Sequence, residues 1–255
     1  MACLFIKAII FLFRFFNRLA PNMNTFADRI IAFNNQLEYK GTLPAGISIM
    51  NPFKDNDFAT GVSSQFYRKY YSDNHPRHLI LGINPGRFGS GMTGVSFTDP
   101  KRMISQCHIP YNGPITHEPS SEYVYDMINA FGGVSEFYRQ FYIHSVCPLG
   151  FTITNDRGKE VNYNYYDKPE LQKAVYPFII ENIEKQLRLG FETDICFCFG
   201  TGKNEAFLRR LNDEQYFFKQ IIALEHPRFI MQYKSKTKQD YIAKYLEAFS
   251  KAIID

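Results

Sequence analysis

Two places in this 255-residue chain end an apolar run in a polar side chain followed at once by proline. The first, residues 79–97, reads LILGINPGRFGSGMTGVSF and carries Asn84, Pro85, Gly86, Gly89, Gly91 and Gly94. Pro85 has a fixed φ and no N–H, so strand pairing must stop there. The glycines allow backbone to approach a ligand closely, and their N–H groups can face a phosphate or a base. Their spacing fits neither a phosphate-binding GxxxxGK[ST] loop nor a dinucleotide GxGxxG. The second, residues 221–236, reads IIALEHPRFIMQYKSK and ends its apolar run at His226-Pro227. A histidine there can serve acid–base or electrophilic chemistry, and it can equally be an ordinary satisfied side chain. The other histidines, at 75, 78, 108, 117 and 144, form no HxH or HExxH set, so no metal is expected.

The elements that must position these residues are legible as a pattern. Compact apolar runs at 78–84, 141–149, 194–199 and 220–224 have the length of buried strands. Helical periodicity fills the intervals at 25–39, 123–131, 168–190, 203–211 and 238–254, and the Pro/Gly-rich stretch 41–53 reads as irregular or extended. Strands alternating with helices predict one α/β domain, a parallel four-stranded central sheet flanked by helices on both faces. Ligands in such sheets sit beyond the carboxyl ends of the strands, here Asn84-Pro85-Gly86, Cys147-Pro148-Leu149, Gly200-Thr201-Gly202 and His226-Pro227.

Composition narrows the partner more than the chemistry. Hydrophobic residues make up 45% and charged residues 21%, enough for a substantial core. The 25 Phe and 17 Tyr, with no Trp, can fill that core or stack on bases. Between 226 and 251, Arg228, Lys234, Lys236, Lys238, Lys244 and Lys251 face only Asp240 and Glu247, a surplus equal to the chain's net charge of +4. That is a solvated helix face or a phosphate-contacting patch. The five cysteines contain no CxxC pair and cannot be assembled into an iron–sulfur or disulfide framework, which fits a reducing cytoplasm. Residues 1–22 are apolar with Lys7, Arg14 and Arg18 interspersed, and the globular pattern runs from 23 to 255. A packed or membrane-surface helix, a signal segment, or a physiological start at Met23 are the readings open for that extension, with the last preferred.

GINPGRFG at 82–89, TGVSF at 93–97, HSVCPLGF at 144–151 and HPRF at 226–229 occur in that order. Together they resemble the motifs of the uracil-DNA glycosylase superfamily, specifically the single-strand-selective monofunctional group. There a GMNPGPFG-like strand end is followed by TGVPF, HNLCPLLF and HPSPR, and the chain looks closest to a divergent bacterial branch. The resemblance implies an αβα sandwich and a monomeric, cofactor-free, monofunctional glycosylase acting on damaged DNA in base excision repair. It implies that Asn84 orients the attacking water and that His226 hydrogen-bonds the departing base. Phe97 would stack on the flipped base, with Gly86 and Met92 shaping the pocket.

Two departures bear on specificity. Ser145 stands where the family has an asparagine that reads the uracil edge. One short hydroxyl replaces a paired donor and acceptor, so xanthine and hypoxanthine become expected substrates beside uracil. The segment after His226 is also unlike the family's, which leaves Arg228, Phe229, Ile230 and Met231 as candidates to penetrate the duplex and Lys234 and Lys236 to hold phosphates. A glycosylase fold that binds DNA or a nucleotide without cutting, and a hydrolase of free nucleosides, are the competing expectations.

Overall fold

The computed structural model describes residues 25–253, so the predicted extension at 1–22 lies outside the described residues. The first half of the chain contains α1 (Phe26–Asn35), β1 (Ile47–Met50), α2 (Pro52–Asp55), α3 (Asp57–Tyr70), β2 (His78–Gly82), α4 (Ser90–Thr93), α5 (Pro100–Ser105), α6 (Pro119–Phe131) and α7 (Val134–Gln140). The second half contains β3 (Phe141–Ser145), β4 (Gly150–Thr154), β5 (Glu160–Tyr163), α8 (Pro169–Leu187), β6 (Glu192–Phe199), α9 (Lys203–Gln215), β7 (Gln220–Leu224), α10 (Pro227–Tyr233) and α11 (Lys238–Phe249).

The four apolar runs pair as expected into one parallel sheet, ordered β3–β2–β6–β7. Every residue of β2 and β3 is buried, which explains why both read as continuous apolar stretches rather than alternating ones. The pleat sends alternate side chains to opposite layers. Phe141 and Phe197 meet one layer, where Phe131 of α6, Phe137 of α7 and Phe249 of α11 close around them at centroid separations of 4.8–5.8 Å. Tyr142 and His144 meet the other, where Tyr71 of α3 and Phe33 of α1 pack on them at 5.8 and 5.7 Å. Cys196 and Cys198 also share that face as free, buried thiols. The Phe and Tyr surplus is therefore mainly core.

The sequence pattern gave no hint of a second, three-stranded antiparallel sheet ordered β1–β4–β5. Its first strand occupies part of the stretch read as irregular or extended, and its other two form a hairpin just beyond the β3 end. Helix α3 was likewise not expected. Asn56 caps it by accepting from the Phe58 and Ala59 N–H groups, but its apolar face is interrupted by Gly61, Ser63 and Ser64. Helix α8 starts at Pro169, and Gly190 follows its end in a left-handed conformation at φ 106°, as the spacing predicts.

Helix α11 closes the sheet through Phe249, which is fully buried against five other rings. Phe249→Ala should lower unfolding free energy by about 3–5 kcal/mol, because little of the rigid aromatic surround can collapse into the gap. Urea unfolding checks this; a loss below about 1 kcal/mol would show that the terminal helix contributes little to the core.

Candidate active site

Because the four central strands are parallel, their carboxyl ends lie along one edge, and a cavity of about 120 Å³ opens there. Of the residues singled out by motif, Asn84, Gly86, Phe97, Ser145, His226 and Arg228 line it. Met92 does not: α4 turns it away, and its carbonyl accepts the Tyr111 hydroxyl at 3.2 Å. Ser90 and Ser96 of the same loop reach the cavity instead, and Glu118, Ser120, Asn162 and Asn164 complete it from α6 and the β5 end. A larger open groove of about 550 Å³ lies beside α5 and α6, but no strand-end residue reaches it. Three of its charged groups are already paired, Arg102 with Glu122 and Asp126 with Lys238.

The Asn84 carboxamide is held from both ends. Its Oδ1 accepts from the Tyr165 N–H at 3.1 Å and its Nδ2 donates to the Tyr163 carbonyl at 3.2 Å, so donor and acceptor sides are fixed by backbone. The remaining lone pair of Oδ1 can accept from a water.

His226 is the N-cap of α10. Its Nδ1 accepts from the Arg228 N–H at 3.1 Å. A backbone amide can only donate, so the ring carries its proton on Nε2, which has no protein partner among the described residues. Burial, with Arg228 nearby, lowers its pKa to about 3. The imidazole is therefore a neutral Nε2–H donor across the physiological range.

Phe97 lies between these groups. Its ring is 5.5 Å from the His226 ring and packs edge-on to Phe199 at 5.6 Å. Its φ is +52°, a left-handed conformation that costs a bulky residue about 1–3 kcal/mol. The turn is set up by Gly94, itself left-handed at φ 69°, and by Thr93, whose hydroxyl reaches the carbonyls of Val95 and Thr98 at 3.3 and 2.6 Å. Gly82 makes room: a Cβ there would lie 2.8 Å from the Phe97 ring. Gly82 is also the register partner of Ser145, which brings the Ser145 side chain beside that ring.

Beyond His226, the cationic segment divides. Lys238 and Lys244 are engaged by Asp126 and Glu225, at 2.6 and 2.7 Å, whereas Lys234 and Lys236 are exposed and carry no ion pair among the described residues. Of the candidate penetrating residues, Ile230 is buried and Met231 packs on the core, so neither can enter DNA. Arg228 turns into the cavity, and Phe229 is left 40% exposed, its ring 5.5 Å from Tyr233.

Glu118, Asn162 and Asn164 escaped the sequence reading. Asn162 and Asn164 are two apart, the spacing that puts strand residues on one face, and that was the available signal; Glu118 offered none.

Comparison with known proteins agrees with this geometry. The family model for the uracil DNA glycosylase superfamily matches residues 68–250. The chain is similar to the crystal structure of wild-type SMUG2 from Pedobacter heparinus, with 64% identity and a TM-score of 0.87 over 89% of this chain and 97% of that one. No match was found among curated protein sequences. By sequence, fold and the assembly of its motifs at one sheet edge, the chain belongs to the uracil DNA glycosylase superfamily.

Proposed function

We propose that this glycosylase takes a deaminated base, flipped out of DNA, onto Phe97 and hydrolyses its N-glycosidic bond between Asn84 and His226, without a covalent intermediate. The observation that carries the reading is the pairing of a backbone-fixed amide with a neutral, correctly tautomerised imidazole on two strand ends of one cavity. As the C1′–N bond lengthens, negative charge moves onto the base, and the His226 Nε2–H meets it at a carbonyl oxygen as an oxyanion-hole donor does. A neutral donor suits this step, because it needs no protonation that neutral pH would deny. Asn84 is a poor base, so it orients a water that adds once the sugar already carries oxocarbenium character. In this reading Phe229 fills the gap left in the stack and Lys234 and Lys236 hold neighbouring phosphates, which their exposure supports.

A panel of oligonucleotides, each with a single uracil, hypoxanthine or xanthine, tests the reading by release of free base. Asn84→Ala should lower single-turnover rates by about 10²-fold or more while binding of uncleaved DNA persists. It should also lose about 1–3 kcal/mol of stability, because the Tyr163 carbonyl and Tyr165 N–H lose their partner. Full rates in a folded variant would remove Asn84 from the chemistry.

His226→Ala should cost about 10²–10³ in the uracil rate. Because the His226 pKa is lowered to about 3, the wild-type uracil rate should show no inflection near the ordinary histidine value of about 6.5. A rate that rises on protonation in that range would mean that the imidazolium acts instead.

Ser145→Asn should raise uracil activity relative to the purines by about 10–100-fold in the ratio of kcat/KM values, by restoring a paired contact to the imide edge. An unchanged ratio would place base reading elsewhere.

A further inference from the structure

Helix α6 begins on a residue that does not cap it. Glu118 is the N-cap, a position that favours short Ser, Thr, Asp or Asn, and its side chain makes no cap hydrogen bond. Its backbone N–H is held by Asp99 Oδ2 at 2.8 Å, and its carboxyl turns into the base cavity. No protein group among the described residues hydrogen-bonds that carboxyl. The charged groups facing it are Arg228 from α10 and Asp99 ahead of α5, while His226 at the β7 end is neutral. A half-buried carboxyl without a hydrogen-bond partner adds no bond to the fold, and its place on the cavity wall calls for a functional account.

Asn162 supplies an independent observation. Its Oδ1 accepts from the Arg87 N–H at 3.1 Å, which leaves Nδ2 as the donor side of the amide, without a protein partner among the described residues. The two groups converge over Gly86: a Cβ built there would lie 3.1 Å from Glu118 Oε1 and 3.5 Å from Asn162 Nδ2. No side chain at Gly86 separates them, so an acid and an amide donor sit side by side on that part of the cavity wall.

A base stacked on Phe97, with its glycosidic nitrogen over Asn84 and one side toward His226, presents its opposite side to this point. A pyrimidine offers only carbon there, at C5 and C6. A purine offers N7, and a 6-oxopurine adds O6, both acceptors. We propose that Glu118 is a catalytic proton donor to N7 of a flipped 6-oxopurine, with Asn162 Nδ2 donating to O6, so that purines leave by a route that uracil does not use. This rests on the glycosylase reading above and names the residues that extend it to purines. In the step, the proton passes from Glu118 to N7 while the C1′–N9 bond breaks and its electron pair enters the ring. The base departs neutral rather than as an anion. The water oriented by Asn84 adds to C1′ and releases its proton to solvent, from which the Glu118 carboxylate is reprotonated.

Burial raises the Glu118 pKa, against a smaller opposing effect of Arg228 and with a contribution from Asp99 in the same direction as burial. The acid form thus persists to higher pH than an exposed glutamate would allow, and it is lost as pH rises through that raised value. The contacts also discriminate: the 6-amino group of adenine would set a donor against Asn162 Nδ2. Guanine shows the same edge as hypoxanthine, but its intact pairing keeps it in the helix, whereas a mispaired deaminated purine flips more readily.

The experiment compares the full-length protein with Glu118→Gln on uracil, hypoxanthine and xanthine oligonucleotides, in single turnover across about pH 5 to 9. Glu118→Gln keeps the shape but has no acidic proton. It should lower hypoxanthine and xanthine release by about 10²-fold relative to uracil release and flatten the fall of the purine rates with rising pH. An unchanged thermal midpoint shows that the variant is folded. Equal losses on all three bases, or a purine pH profile that survives the substitution, would overturn the assignment, as would a wild-type enzyme that frees uracil but neither purine. Release of no base from any oligonucleotide would take down the glycosylase reading itself.

Discussion

The site depends on one side chain being held between two sheets. Asn84 leaves the end of a central parallel strand, yet both poles of its amide are tied to backbone of the smaller antiparallel sheet's last strand, at the end of β5 and two residues beyond it. The β4–β5 hairpin is thereby fixed over the carboxyl edge, and Asn162 and Asn164 come with it into the cavity. The same two bonds leave the amide no freedom to flip. For the water-aiming role proposed for Asn84, that immobility matters more than basicity, since a water misplaced by an ångström loses most of the benefit of being held.

The opposite wall uses a different device for the same end. His226 spends one ring nitrogen on capping α10, a job normally given to serine or aspartate. The cap fixes the tautomer, and the buried setting suppresses the charge, so a helix start and a hydrogen-bond donor are specified by one contact. Phe97 shows that the site has a cost: its left-handed backbone is strained, and the Thr93 hydroxyl and Gly94 hold it there. Strain in the ring proposed to carry the base, offset by a rigid turn, is consistent with selection for position over stability.

Much of this was legible in the residues. Buried parallel strands must be apolar throughout, so the four central strands announced themselves, and the meeting of Asn84 and His226 at one sheet edge followed from where those strands stop. The antiparallel sheet was hidden because its strands are only partly buried and so lack a continuous apolar run, and β5, Glu-Val-Asn-Tyr, has only one aliphatic side chain. Met92 was misplaced because a motif gives order along the chain, whereas the α4 turn decides which of its side chains point inward. Glu118 was invisible for a deeper reason. A glutamate before Pro119 resembles any exposed helix start, and only the approach of Gly86 and Asn162 from distant parts of the chain shows what it faces.

The reach of the Asn84 hydrogen bonds has a bearing on how the protein comes into being. Its partners lie 79 and 81 residues downstream, and His226 arrives only with the last central strand. A chain still being synthesised therefore carries Asn84, Phe97 and the glycine loop long before it carries the backbone that fixes Asn84 or the histidine proposed to act with it. The capacity to damage DNA appears at once and late, when nearly all of the sequence has emerged. Premature termination should yield fragments that are inert rather than unregulated.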